Sequence, residues 1–295
     1  MKQSLTYYIT LFVIKLKGLK NDFSKDPIDF KKIRKEDVHY PKGKFFKENQ
    51  LRNFKISDSI ITEIAVNDKF DNLLIFIPGG AFISGPAQHH WDTLKEIAKR
   101  TNYKIWMCDY PKAPESKIGK ISENIDLIYT TALKNYPSNH IAFIGDSAGG
   151  TLITCLMQRL LKRNIELPNQ IILVSPVMDA SMSNLEIKKV ESIDPMLSKI
   201  GVLSAKKMCV ENNDLKNTMI SPLYGSFENF PPTRLFLAEN DITYPDQKLA
   251  IQKFRQAKVS LEIIEGKNMP HIWPFLPVMK EAEISLREIT EMLNN

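Results

Sequence analysis

The stretch HIAFIGDSAGGTLITCLM, residues 140–157, decides how this chain is read. Residues 141–145 form a continuous apolar run of buried-strand type, and after residue 148 apolar side chains recur at helical spacing. Between them lies GDSAG, residues 145–149, a G-x-S-x-G pattern centred on Ser147. A sharp turn from strand to helix presents the Ser147 hydroxyl at the edge of a sheet, where Gly145 and Gly149 remove Cβ atoms that would collide. The first amides of the new helix then point toward that hydroxyl. The same five residues also fit a serine that only caps a helix, so Ser147 needs partners before it is a nucleophile. GDSAGG further invites comparison with the GDSGG of chymotrypsin-like proteases. That fold is all-β, with histidine and aspartate ahead of the serine, and the helix-length pattern after Ser147 excludes it.

Outward from this turn the chain alternates. Apolar runs at 73–78, 104–110, 141–145, 171–176, 234–239 and 260–266 read as buried strands, with helix-like segments at 89–101, 121–136, 148–164 and 244–258 between them. Strand, helix and strand in succession define an α/β chain with a mostly parallel central sheet and helices on both faces. Residues 175–225 break the rhythm, being longer than one crossover needs. At 295 residues a single α/β domain over 1–295 is expected, with cap elements at 1–45 and 180–220 above the carboxyl ends of the strands.

A serine hydroxyl needs an imidazole as base and a carboxylate to hold it. Five histidines are available. His140 opens the strand that leads to Ser147 and lies roughly 16–20 Å of extended chain away. His39 sits in a basic amino-terminal region, and His89 and His90 begin a helix. His271, in GKNMPHIWP, follows the last strand and is assigned as the base. For the carboxylate, Asp241 directly follows a strand and precedes a helix; Asp179 is a rival at the end of another strand, and Asp246 reads as a charge at a helix start. A tetrahedral intermediate also needs amide donors. The stretch FIPGGAFISG, residues 76–85, supplies small residues Gly79, Gly80 and Ala81 after an early strand, and Ala148 follows the serine.

Taken together these motifs resemble the hormone-sensitive-lipase-like branch of the α/β-hydrolases, which includes bacterial carboxylesterases and acetyl esterases. DYPKAPES (109–116), SPVMDAS (175–181), DPMLS (194–198) and SPLYG (221–225) are close to that family's wording. The resemblance implies the triad Ser147, Asp241 and His271, a structural role for Asp179, and oxyanion donors at Gly80, Ala81 and Ala148. It implies hydrolysis of short- to medium-chain carboxylic esters through an acyl-enzyme, with no metal or organic cofactor. An amidase or formamidase on the same scaffold and a non-catalytic ligand-binding protein are the alternatives. One departure matters: Pro78 stands where the family has a histidine that braces the glycine loop.

Composition narrows the partners. Lys and Arg outnumber Asp and Glu by 14 to 7 in residues 1–60 and are balanced at 26 to 27 afterwards, so the net charge of +6 is local. No recognition motif for nucleic acid accompanies it. Cys108, Cys155 and Cys209 stand far apart without C-x-x-C spacing, which suits a reducing, cytoplasmic setting rather than a disulfide framework or a zinc site. Near the amino terminus, Leu5, Tyr8, Ile9, Phe12, Leu16 and Leu19 form one helical stripe. The stripe is expected to cover this protein's own surface, with peripheral membrane contact as the alternative. An oligomer is compatible with the sequence.

Overall fold

Strands rich in Ile, Leu and Phe are buried on both faces and need helices on each side to keep them from water. The computed structural model, which describes residues 3–66 and 70–294, answers this with one eight-stranded sheet. The strands are β1 (Gln50–Ile56), β2 (Ser59–Ala65), β3 (Asn72–Ile77), β4 (Tyr103–Asp109), β5 (Ile141–Asp146), β6 (Gln170–Val174), β7 (Thr233–Asn240) and β8 (Leu261–Pro270). Their order is β1-β2-β4-β3-β5-β6-β7-β8. From β4 to β8 every pairing is parallel, while β2 runs antiparallel to both β1 and β4.

The helices are α1 (Leu5–Lys17), α2 (Leu19–Asp22), α3 (Phe30–Ile33), α4 (Lys44–Glu48), α5 (Gln88–Arg100), α6 (Ile118–Ala132), α7 (Ala148–Lys162), α8 (Ile187–Glu191), α9 (Lys199–Cys209), α10 (Tyr244–Gln256) and α11 (Lys280–Asn294). α5 packs with α11, and α6 packs with α7, so the sheet is clothed by two helical groups. α7 is the most central helix: eleven of its residues, from Ala148 to Leu160, are buried.

The six strands read from the sequence are β3 to β8, but β8, expected to be buried, lies at the sheet edge paired only with β7, and most of its residues are exposed or half-buried. The β1–β2 hairpin and α11 were not among the expected elements. β1 and β2 meet through Ser57 and Asp58, with Ser57 at a positive φ of 52°, and their register runs from Gln50–Ala65 to Ile56–Ser59. The cysteines Cys108, Cys155 and Cys209 are all free and buried.

The amino-terminal stripe requires a correction. α1 packs inward through Tyr7, Thr10 and Ile14, a narrow face, while Leu5, Tyr8, Ile9, Phe12, Val13 and Leu16 are turned outward. Of the expected stripe only Leu19, in α2, packs against the core as a partly buried side chain. The reason lies at the helix ends. Ser4 donates its N–H and its hydroxyl to Glu281, Tyr7 donates its phenol to the Asn268 carbonyl, and the Lys280 N–H donates to Thr6. These polar ties, of which Tyr7 lies opposite the stripe and Thr6 and Ser4 flank it, fix the rotation of α1.

Candidate active site

Ser147 occupies the turn between β5 and α7 with φ 47° and ψ −119°, a conformation L-residues rarely adopt. Such strain costs about 1–3 kcal/mol and persists only where surrounding structure enforces it. Here the Ser147 N–H donates to the Val174 carbonyl at 2.8 Å, and the Thr151 N–H donates back to the Ser147 carbonyl at 3.1 Å. A Cβ on Gly149 would stand 1.9 Å from the Ile77 carbonyl oxygen, so the approach of α7 to β3 requires glycine.

His271 follows the last residue of β8. Its loop is held by the Ile272 N–H donating to Ser175 Oγ at 3.1 Å and by the Trp273 indole N–H donating to the Leu237 carbonyl at 2.9 Å. Asp241 follows β7 and is fully buried. His271 Nδ1 lies 2.6 Å from Asp241 Oδ2, and the other carboxylate oxygen accepts the Thr243 N–H at 2.8 Å. Because a carboxylate can only accept, the imidazole proton sits on Nδ1 and the Nε2 lone pair is left open. Burial pulls the His271 pKa down, but the Asp241 charge and hydrogen bond more than offset it, and the net position is above the ordinary histidine value.

Asp194 stands behind this pair. Its carboxyl accepts the N–H groups of Met196, Leu197 and Ile242. Burial, reinforced by the nearby Asp241, pushes it up to about 6. Asp179 lies elsewhere: its carboxylate accepts the Ser181 N–H and the hydroxyls of Ser181, Ser183 and Tyr224. Asp246 begins α10, yet its carboxyl is buried, accepts the Asn184 amide at 2.9 Å and is pushed up to about 6 by that burial.

The glycine loop after β3 folds back tightly, with Gly80 at φ 123°, Ala81 at 54° and Phe82 at 65°. The Ile83 and Ser84 N–H groups both donate to the Gly80 carbonyl at 3.0 Å. Gly79 spends its own N–H on Asp146 Oδ1 at 3.0 Å, so its amide is not open toward the cavity. Among the described residues no protein acceptor takes the N–H of Gly80 or of Ala81. Ala148 is the first residue of α7, where helix N–H groups lack intrahelical partners.

Pro78 leaves this loop without the family's histidine, and other groups hold it. Tyr110 donates its hydroxyl to the Pro78 carbonyl at 3.1 Å, and the Ala113 N–H donates to the Phe82 carbonyl at 2.9 Å. Arg34 donates Nε–H to the Ile83 carbonyl, and the Gly85 N–H donates to Asp37. The most telling brace is His90, which sequence reasoning passed over as the start of a helix. Its Nδ1 accepts the Ala87 N–H at 2.8 Å, so the ring proton sits on Nε2, 3.2 and 3.4 Å from the two oxygens of Asp146. Burial raises the Asp146 pKa, but His90, with further help from His89 and the Gly79 N–H, turns the net shift downward. Asp146 is therefore a carboxylate fastened between an imidazole and the glycine loop. A helix-opening histidine about ten residues beyond a glycine loop was the available signal.

His89, His90 and Asp146 bring three potential ligand atoms within 4.8 Å of one another. The cluster does not suit a cation, because His90 Nδ1 is already an acceptor and Nε2 carries the proton. His89 Nε2 is buried without a hydrogen-bond partner among the described residues; burial, and then the neighbouring His90, lowers its pKa to about 3.

Ser147, His271, Asp146, Gly79, Gly80 and Ala81 all line one cavity of about 860 Å³. Its walls are largely apolar and include Val177, Met196, Leu197, Val202 and Leu276 together with Ile9, Val13 and Ile14 of α1. Lys206 also lines it, fully buried on α9, with Nζ lacking a hydrogen-bond partner and 4.2 Å from the Phe82 ring centroid. Burial lowers its pKa to about 7.

A sheet of this order with a strained serine at the β5–α7 turn defines an α/β-hydrolase. The family model described as "alpha/beta hydrolase fold" matches residues 74–275, and the chain belongs to that family. It is 27% identical over 252 residues to an esterase of Acinetobacter venetianus, covering 83% of each chain. A solved putative esterase from Staphylococcus aureus superposes with a TM-score of 0.86 at 26% identity, over 96% of this chain and 99% of the other. An esterase of the bacterial hormone-sensitive lipase family superposes with a TM-score of 0.87 at 21% identity, over 100% and 99%, a likeness of fold.

Proposed function

We propose that this protein is a serine carboxylesterase that hydrolyses short- to medium-chain esters through an acyl-enzyme. The observation that carries the reading is the 2.6 Å Asp241–His271 pair, buried beside a cavity that also holds the strained Ser147. His271 Nε2 takes the Ser147 proton as Oγ attacks the ester carbonyl, then returns it to the leaving alcohol. Asp241 stabilises the imidazolium formed in between. Gly80, Ala81 and Ala148 donate to the oxyanion of the tetrahedral intermediate. Water then attacks the acyl carbonyl as His271 takes one of its protons, and His271 returns that proton to Ser147 Oγ as the acid leaves. The segments 1–45 and 180–220 act as a cap, a role supported by the cavity-lining residues they contribute. The apolar walls favour an aliphatic acyl group, and the enclosed volume suits a small ester rather than bulk fat.

Graded p-nitrophenyl esters test the reading with wild type and Ser147→Ala. Turnover by wild type, greatest on acyl chains of about two to eight carbons and abolished in the variant, is the expected result. Wild-type turnover no greater than that of the variant on every ester would end it.

A further inference from the structure

The outward face of α1 has no counterpart elsewhere among the described residues. Leu5, Tyr8, Ile9, Phe12, Val13 and Leu16 are between 43% and 75% exposed, although all are large and apolar. At about 100° per residue they fall within an arc of roughly 140°, opposite the inward-facing Tyr7, Thr10 and Ile14. Single exposed apolar residues are ordinary, but six in a contiguous stripe on one helix mark a surface that something covers.

Two features identify the cover. The first is charge. At the same helical spacing, Lys15 falls just beyond one edge of the arc and Lys17 beyond the other, and neither is in an ion pair among the described residues. Long lysine stems can lie along apolar surface while their ammonium groups reach outward to anions. A helix with an apolar face bordered by lysines suits the headgroup and acyl boundary of an anionic bilayer, lying in its plane. Thirteen residues rise about 20 Å, too short to cross, and no described helix is long and apolar enough to span a membrane.

The second feature is position. Ile9, Val13 and Lys17 of the exposed arc and its edge also line the catalytic cavity, together with Val278, which is 80% exposed. The apolar stripe therefore runs without interruption into the wall of the chamber that holds Ser147. A surface seated on α1 would present its acyl chains at that entrance.

We propose that α1 docks the protein on anionic phospholipid surfaces, so that the site receives ester substrates held at the interface. The substrate half of this inference rests on the carboxylesterase reading; the docking half does not. Vesicle co-sedimentation tests it, comparing phosphatidylcholine alone with phosphatidylcholine containing phosphatidylglycerol. Wild type is expected to bind the mixed vesicles at least about tenfold more strongly than the zwitterionic ones. Phe12→Ser/Leu16→Ser and Lys15→Gln/Lys17→Gln should each lower that binding about tenfold or more. The first variant, which alters neither the triad nor a cavity-lining residue, should keep wild-type turnover of a water-soluble ester.

Absence of wild-type binding to the mixed vesicles overturns the proposal. Equal affinity for both vesicle types, or lysine substitutions without effect, overturns the choice of anionic lipid. A vesicle-free dimer in analytical ultracentrifugation that Phe12→Ser/Leu16→Ser dissolves would instead make the face a contact between two copies of this chain. Loss of soluble-ester turnover in wild type would strike the carboxylesterase reading and leave the vesicle result interpretable.

Discussion

Two buried aspartate–histidine pairs flank Ser147, and they are wired in opposite senses. In Asp241–His271 the carboxylate takes Nδ1, and the lone pair of Nε2 is left open. In Asp146–His90 the carboxylate faces Nε2, and Nδ1 is occupied by the Ala87 N–H. In the proposed mechanism the same two residue types thus make a base in one place and a brace in the other. The number of ring nitrogens already engaged separates chemistry from scaffolding, and neither burial nor proximity to the serine does so.

The largest effect that tests this contrast is removal of the base. His271→Ala should lower kcat on p-nitrophenyl butyrate by about 10⁴-fold or more. Next comes its carboxylate: Asp241→Asn should cost about 10²–10⁴-fold in kcat by unfixing the tautomer. Asp179→Asn should stay within about threefold of wild type, because Asp179 binds hydroxyls and a turn amide rather than the imidazole. Equal losses in the two aspartate variants would assign the carboxylate wrongly.

His90→Ala should lower kcat by about ten- to a hundredfold with little change in KM, as expected when transition-state donors lose alignment. His90→Gln, whose amide can still donate to Asp146, should recover part of that loss. A fall in melting temperature with kcat intact would reduce His90 to a purely structural residue.

The smallest effect is the most discriminating. Only neutral imidazole accepts the serine proton, so kcat/KM should rise with pH through the His271 pKa, with a midpoint above the ordinary histidine value of 6.5. Asp241→Asn removes the charge that raises it, so the acid limb should move to lower pH. His90→Ala should leave the midpoint where it is. A shift in the His90 variant of the same size as in the Asp241 variant would erase the distinction between the pairs.

Much of this molecule is legible before any coordinates. β3 to β7 are largely apolar runs and are buried, whereas β8, also expected to be buried, is an edge strand most of whose residues are exposed or half-buried. The β1–β2 hairpin was not legible in that way: LRNFKI forms a half-exposed edge strand, and SIITEI, although mostly buried, mixes Ser, Thr and Glu with its isoleucines, so the pattern is weak in both. The site divides similarly. Ser147, Asp241 and His271 each follow a strand, so sequence order alone places them at one edge of the sheet. His90 reaches that edge from inside a helix, and its role depends on which nitrogen meets Asp146, a matter of ring orientation. α1 shows a third kind of limit. Helical spacing reveals that a face is apolar, but the rotation of α1 was decided by Ser4, Tyr7 and Thr6 bonding to residues more than 250 positions away.

Asp146 and Ser147 are consecutive, and the first grips Gly79 while the second bears the hydroxyl. In the proposed mechanism the attacking atom and the loop that receives the oxyanion are thereby referenced to a single peptide unit. When the end of β5 drifts with thermal motion, both travel together and their separation is conserved. The serine and its anion cradle behave as the two jaws of one gauge, with a spacing set at the hinge rather than by the frame around it.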